Sequence, residues 1–234
     1  MMNSAMRISI VFPTLNEASG IVRQLTALQP LRPECEIIIA DGGSQDGTRQ
    51  LALPLADHVI VSASGRARQM NAGAMKARGD LLLFLHADTR LPDNAIGLIR
   101  KNISSGGSWG RFDIELTGAS PMFKVIARMM NWRSRLTAIA TGDQALFITR
   151  KTFDHIGGYP DIELMEDIAI SKKLKKLGEP VCIKKKVISS GRRWETFGLL
   201  RTILLMWWIR LLFFLGASPA YLSELYSRGK FWKR

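Results

Sequence analysis

Short continuous apolar runs alternate with amphipathic stretches from the start of the chain to about Leu91. Residues 7–12 (RISIVF), 36–40 (EIIIA), 58–61 and 80–85 (DLLLFL) read as strands. Each is followed by a helical pattern. Residues 17–29 put Ile21, Val22, Leu25 and Leu28 on one helical face, a short helix runs to about Leu53, and residues 66–77 form a third that closes at Gly79. Strands without polar alternation, each leading into a helix, are buried on both faces and therefore parallel. An α/β sandwich around a doubly wound, mixed but mainly parallel sheet is predicted.

Beyond Leu91 the spacing loosens. A helix near 92–103 meets a Gly/Ser-rich break at 104–108, and residues 109–116 alternate well enough for an antiparallel or mixed strand. Residues 122–135 read as a helix, 144–149 (QALFIT) as a strand, 166–177 as a helix stopped by Gly178, and 181–189 as a last strand. The remainder is different in kind. Residues 199–215 are apolar apart from Arg201, Thr202 and Arg210. At about 100° per residue those two arginines fall on opposite sides of a helix, which leaves no clean polar face. The stretch is also shorter than the roughly 20 apolar residues that span a bilayer. Two readings stand: a helix in the membrane interface with arginines reaching for headgroups, or a buried helix that packs on the domain or on a second copy. The chain divides on this basis into a catalytic-type domain, 1–194, and a hydrophobic, basic helical tail, 195–234.

Composition narrows the class. With 234 residues, 47% apolar and 23% charged, the chain is neither disordered, collagen-like nor a disulfide-stapled mini-protein. Cys35, Cys182 and three scattered histidines have no zinc-site spacing. Of the net charge of +13, most lies in residues 184–234, where 11 Lys and Arg face 2 Asp and Glu. Basic charge mixed with Trp, Phe and Leu points to an anionic membrane surface rather than to nucleic acid. The N-terminal residues have no apolar h-region, so a cytoplasmic protein, peripheral on the inner face of the membrane, is expected.

Candidate chemistry gathers where three predicted strands end. These clusters are Pro13-Thr14-Leu15-Asn16-Glu17, Asp41-Gly42-Gly43-Ser44-Gln45-Asp46-Gly47-Thr48 and His86-Ala87-Asp88. In an open α/β sheet the carboxyl ends of the strands meet at one crevice, where ligands bind. Asp41 offers a carboxylate to a base or ribose, and Gly42 and Gly43 let backbone approach a ligand closely. Asp88 suits Mg²⁺ or Mn²⁺, which need only one or two protein carboxylates when a diphosphate and water complete the shell. Asp46 also reads as a helix cap. Arg66 and Arg68, at the start of the third helix, suit either nucleotide phosphates or a solvated basic face.

In this order and spacing, Val11-Phe12-Pro13-Thr14-Leu15-Asn16-Glu17, the 41–48 loop and His86-Ala87-Asp88 resemble glycosyltransferase family 2. The likeness continues through Gly142-Asp143-Gln144-Ala145 and Glu166-Asp167 and covers residues 7–194. It implies a GT-A fold and an inverting transferase of nucleotide-diphosphate sugars, a UDP sugar ahead of a GDP sugar. It also implies that Pro13, Thr14, Asn16, Glu17, Asp41, Gly43, Arg66, Ala87, Asp88 and Arg193 surround the donor. Asp88 would hold Mg²⁺ or Mn²⁺, and Asp167 would be the general base. Gly142, Asp143, Glu166 and Trp194 would meet the acceptor. His86 stands where many relatives carry Asp. Arg192-Arg193-Trp194 resembles the end of the Gln-x-x-Arg-Trp signature of processive relatives, but Ser190 holds the Gln position, which argues against a polymer synthase. The finer likeness is to short bacterial members associated with arsenosugar-type pathways, which also end in a basic, hydrophobic tail.

From the residues alone, Glu166-Asp167 equally suits an acidic first turn that complements a helix dipole. A polyprenyl-phosphate sugar transferase and a non-catalytic nucleotide-sugar-binding membrane protein are the alternatives. A nucleotidyltransferase would carry a Gly-rich basic loop after the first strand, and 13–17 has neither glycine nor lysine. The acceptor is left open, and a homo-oligomer is possible.

Overall fold

A computed structural model describes residues 6–228, apart from the side chains of Arg193 and Arg228. Trp232, one of the tryptophans that mix with basic charge in the tail, lies outside the described residues.

Eight strands form one sheet: β1 Ile8–Thr14, β2 Cys35–Asp41, β3 His58–Val61, β4 Leu81–Phe84, β5 Thr89–Arg90, β6 Trp109–Thr117, β7 Phe147–Thr149 and β8 Val181–Ser190, in the order β3-β2-β1-β4-β7-β6-β8-β5. The first four pair in parallel. β7 runs antiparallel to β4 and β6, β6 is parallel to β8, and β5 is antiparallel to β8. The sheet is thus mixed, and β6 meets one neighbour of each sense, as its alternating pattern predicted.

Period-two alternation explains why the first strands read as unbroken apolar runs. Ile8, Ile10 and Phe12 enter one hydrophobic cluster and Val11 enters the other. Ile37 and Ile39 part from Ile38, and Leu81 and Leu83 from Leu82 and Phe84, in the same way. One face is covered by α1 Ala18–Leu28, α4 Ala95–Ser104 and α5 Met122–Thr137. The other is covered by α3 Arg66–Lys76 and α7 Glu166–Leu174, with Phe153 of α6 Arg150–His155. The short α2 Thr48–Ala52 follows β2. Strand β5 has only two residues, and α6 and α8 Arg192–Phe197 only six each; none leaves a periodic signal.

The tail folds back on the domain. Helices α9 Leu199–Phe214 and α10 Pro219–Arg228 pack on Ile139, Met165 and Ile168 through Leu205, Ile209 and Leu222. Opposite sides of α9 then have different fates, because Arg201 is exposed while Arg210 faces an internal cavity. The expectation of two arginines reaching for headgroups is corrected for Arg210: the helix is seated, and that side is turned inward. Trp207 and Trp208 stay exposed. Among the described residues no helix is long and apolar enough to cross a membrane.

Candidate active site

The loops after β1 and β2 are stitched to each other. Asn16, in the left-handed region at φ 54°, donates its N–H to Ser44 Oγ at 2.8 Å and accepts the Gln45 N–H on Oδ1 at 3.0 Å. The Glu17 N–H reaches Thr48 Oγ1 at 2.8 Å. Asp46 accepts the N–H groups of Ala18 at 2.9 Å and Thr48 at 3.1 Å, so it does tie down a helix start, and in fact two of them. Asp41 is fully buried and accepts from the N–H groups of Gly43 (3.1 Å) and Ser44 (2.9 Å) and from the hydroxyls of Ser44 (2.5 Å) and Thr14 (3.3 Å). Its carboxylate shapes a loop whose turn at Gly43, φ +96°, suits glycine. Gln69 of α3 completes the junction: its amide donates to the carbonyls of Thr14 at 2.6 Å and Ala40 at 2.9 Å.

Beside these loops lies a cavity of about 490 Å³. Six of the predicted residues line it: Arg66, Asp88, Gly142, Asp143, Asp167 and Trp194, together with His86. Pro13, Thr14, Asn16, Glu17, Asp41, Gly43, Ala87 and Glu166 do not. The side chain of Arg193 lies outside the described residues. Arg68 pairs with Asp161 at 2.7 Å on the surface, so of the two helix-start arginines only Arg66 joins the cavity.

Local geometry fixes the carboxylates. Asp167 accepts the Gly142 N–H on Oδ2 at 3.2 Å and the Ile168 N–H on Oδ1 at 2.7 Å. Thr141 and Gln144 close a capping box around Gly142 and Asp143. Ala145 at φ 49° and Met165 at φ 70° flank this cluster, and with Asn16 they are non-glycine residues held left-handed beside the site. Such backbone costs on the order of 1–3 kcal/mol and persists where the surrounding structure over-determines it.

The two acidic neighbours differ. Glu166 is buried, stands 3.8 Å from Arg66, and has its carboxyl pushed up to about 7 by burial, with the Asp167 charge adding and Arg66 opposing. Asp167 is half-buried and faces the cavity. Asp143 is also raised, by burial first, and its Oδ1 has no hydrogen-bond partner. Burial, reinforced by Arg66, pushes the His86 imidazole down to about 3, so the ring is neutral. Burial likewise raises Glu17, with Asp88 the leading charge against it.

The reading from sequence assigned none of the α5 and α9 side chains to the site, although both helices supply cavity wall. Arg133 and Met130 come from α5, and Met206, Trp207 and Arg210 from α9. A lone arginine within an apolar run was the available signal for Arg210. Arg133 lies in a helix with several other basic residues and offered none.

Among the described residues no group of three or more His, Cys, Asp or Glu side chains is arranged to hold a metal ion. The described residues therefore offer no closed cage. Asp88 accepts one long bond, 3.4 Å from Thr89 Oγ1, and its charge helps raise the Glu17 carboxyl. That donor set fits a hard divalent cation that draws the rest of its shell from a diphosphate and water.

The described fold is shared with structures solved in complex with nucleotide sugars. A mannosyltransferase from Pyrobaculum calidifontis, solved with GDP-Man and Mn²⁺, matches with a TM-score of 0.59 at 20% identity, over 80% of this chain and 57% of its own. The S. aureus protein TarS, solved with UDP-GlcNAc, matches with a TM-score of 0.61 at 16% identity, over 79% of this chain and 58% of its own. In sequence, the succinoglycan biosynthesis protein ExoA of Rhizobium meliloti is 28% identical over 199 residues, 76% of this chain and 60% of ExoA. An undecaprenyl-phosphate 4-deoxy-4-formamido-L-arabinose transferase of Photorhabdus laumondii is 29% identical over 112 residues, 43% of this chain and 34% of that protein. The chain spans about 60% of the length of ExoA. Residues 9–154, well over half of the chain, match the model of glycosyl transferase family 2, and the protein belongs to that family.

Proposed function

We propose that the protein is an inverting glycosyltransferase that moves a sugar from a nucleotide-diphosphate donor, a UDP sugar ahead of a GDP sugar, to an acceptor hydroxyl. The convergence of His86, Asp88, Asp143 and Asp167 on one cavity beside the stitched 13–17 and 41–48 loops carries this reading. The loop organised by Asp41, with Pro13, Thr14, Asn16, Glu17 and Gly43, takes the nucleoside. Arg66 serves the phosphates from the cavity wall, and the family resemblance assigns Ala87 and Arg193 to the same donor. Asp88 would hold Mg²⁺ or Mn²⁺, and such an ion would supply positive charge for a leaving diphosphate.

Asp167 then removes the proton of an acceptor hydroxyl held by Gly142, Asp143 and Trp194. That oxygen attacks the anomeric carbon opposite the leaving group, so one displacement inverts the configuration. Gly142 N–H fixes the base by occupying one lone pair of Oδ2. Buried Glu166 holds Arg66 in place behind it. A basic, peripheral membrane association on the cytoplasmic side accords with the exposed apolar side chains of α5 and α9. The likeness to short members of arsenosugar-type pathways is the finer part of this reading and rests on the tail.

The decisive experiment is a thermal-shift panel of UDP, GDP, CDP and ADP, with and without Mn²⁺, on wild type, Asp88→Asn and Asp167→Asn. A ligand at about 100 times its dissociation constant stabilises by roughly 2.7 kcal/mol. The reading expects one diphosphate to stabilise only with metal, Asp88→Asn to lose the effect, and Asp167→Asn to keep it while turnover disappears. Undiminished turnover by Asp167→Asn would remove the base assignment.

A further inference from the structure

The cavity wall holds two cations that the transfer chemistry above does not use. Arg133 reaches in from α5 and Arg210 from α9. Three of their buried nitrogens, Arg133 Nε and Nη2 and Arg210 Nε, have no hydrogen-bond partner. Buried guanidinium N–H groups left unpaired are costly, and two such groups in each other's field are more so. The charges register that conflict. Arg133 is pushed down to about 10 by burial, with Arg210 the leading charge against it, and Arg210 is itself lowered by burial. Asp143 and Asp167 offset part of this field, yet Asp143 Oδ1 is also left without a partner. These atoms are themselves buried, but the two guanidinium side chains and the carboxyl side chain that carry them line one space without satisfying each other. A molecule that carries both an anion and a hydroxyl would satisfy both.

We propose that Arg133 and Arg210 form a subsite for a phosphoryl group carried by the sugar acceptor, beside the hydroxyl that Asp143 and Asp167 receive. The inference rests on the reading of this cavity as the acceptor pocket. Two guanidinium side chains on one space match the three or more oxygens of a phosphoryl group better than the two of a carboxylate. The mouth of the cavity adds a second requirement. Met129, Trp132 and Trp207 line it and are each more than half exposed, so the part of the acceptor that leaves the cavity crosses an apolar rim. The shared chemistry is a phosphoryl group next to an apolar substituent, supplied either by a lipid or by a soluble phosphorylated compound.

The test uses hexyl phosphate as the probe and hexanol as the control, with full-length wild type, Arg133→Gln and Arg210→Gln. Hexyl phosphate should stabilise wild type and hexanol should not. Each variant should weaken hexyl phosphate binding about tenfold or more, the scale of one lost charge-assisted hydrogen bond. Neither variant should melt below wild type without ligand, because each removes one of two mutually repelling cations. Nucleoside-diphosphate binding should be unchanged in both. Hexyl phosphate binding that is absent from wild type, or equal in all three proteins, overturns the subsite. Loss of diphosphate binding in the variants overturns it too, since the arginines would then serve the donor.

If wild type binds hexyl phosphate through these arginines but no nucleoside diphosphate, a phosphoryl site stands, while its assignment to a sugar acceptor falls with the transferase reading. Competition by phosphatidylcholine vesicles doped with phosphatidic acid supports the subsite with a lipid as the source. Competition by inorganic phosphate with no effect of vesicles supports it with a soluble source.

Discussion

Gly142 lies flat against the imidazole of His86: a Cβ at position 142 would stand 2.3 Å from Cε1 and 2.4 Å from Nε2. The same glycine donates its N–H to Asp167. One backbone position therefore couples the segment after β4 to the first turn of α7, and no side chain fits there without moving the ring.

Gly142→Ala should lower stability by about 1–3 kcal/mol through overpacking, and cut turnover by displacing His86 and Asp167 together. Adding His86→Ala should recover much of the stability, because the space the methyl needs is then free. A double-mutant cycle by chemical denaturation checks this. Additive effects would show that the two residues do not press on each other.

Glu166 gives stability a pH dependence. Its carboxyl has an ordinary value of 4.5 and is raised to about 7 in the fold. Between those values the unfolded chain is ionised while the folded protein keeps the proton, so the folded state binds more protons and stability falls as pH rises through that window. Above the window the full penalty is present. Melting curves across this range should show a decline in wild type that is absent from Glu166→Gln.

Replacing Gln69 by leucine should leave the Thr14 and Ala40 carbonyls without their donor. A buried acceptor left unpaired costs about 1–3 kcal/mol. Because both carbonyls lie where the donor loops leave the sheet, Gln69→Leu should weaken nucleoside-diphosphate binding as well as stability. Calorimetry on the folded variant separates the two effects.

The cysteines should differ in reactivity. Cys35 is buried and its thiol is pushed up to about 12, chiefly by burial, whereas Cys182 is half-buried. Iodoacetamide at mildly alkaline pH should label Cys182 and spare Cys35 until the protein is denatured. Mass spectrometry of the labelled peptides reads this directly.

The outer face of α9 exposes Leu200 at 76% and Leu204 at 66%. Changing both to glutamate should reduce co-sedimentation with anionic vesicles, and to a lesser degree with neutral ones, while leaving diphosphate binding intact. Equal sedimentation of the variant and wild type would place any membrane contact elsewhere.

The sequence by itself determined the parallel half of the sheet, because strands buried on both faces leave unbroken apolar runs with helices between them. It also determined the three strand-end clusters and the ordered motifs of the family, since these are contiguous in the chain. It separated Arg201 from Arg210 by helical angle alone. Tertiary structure decided what each polar group does. Asp41 is spent on its own loop because four donors fold onto it, and Glu166 rather than Asp167 is enclosed because α3 brings Arg66 to it. The tail became a wall of the cavity because Leu205, Ile209 and Leu222 find an apolar seat on Ile139, Met165 and Ile168. Contacts between residues so far apart in the chain leave no periodic trace in the sequence. The convergence of Arg133 and Arg210 on one cavity is of that kind, and only the packing of α9 against the domain creates it.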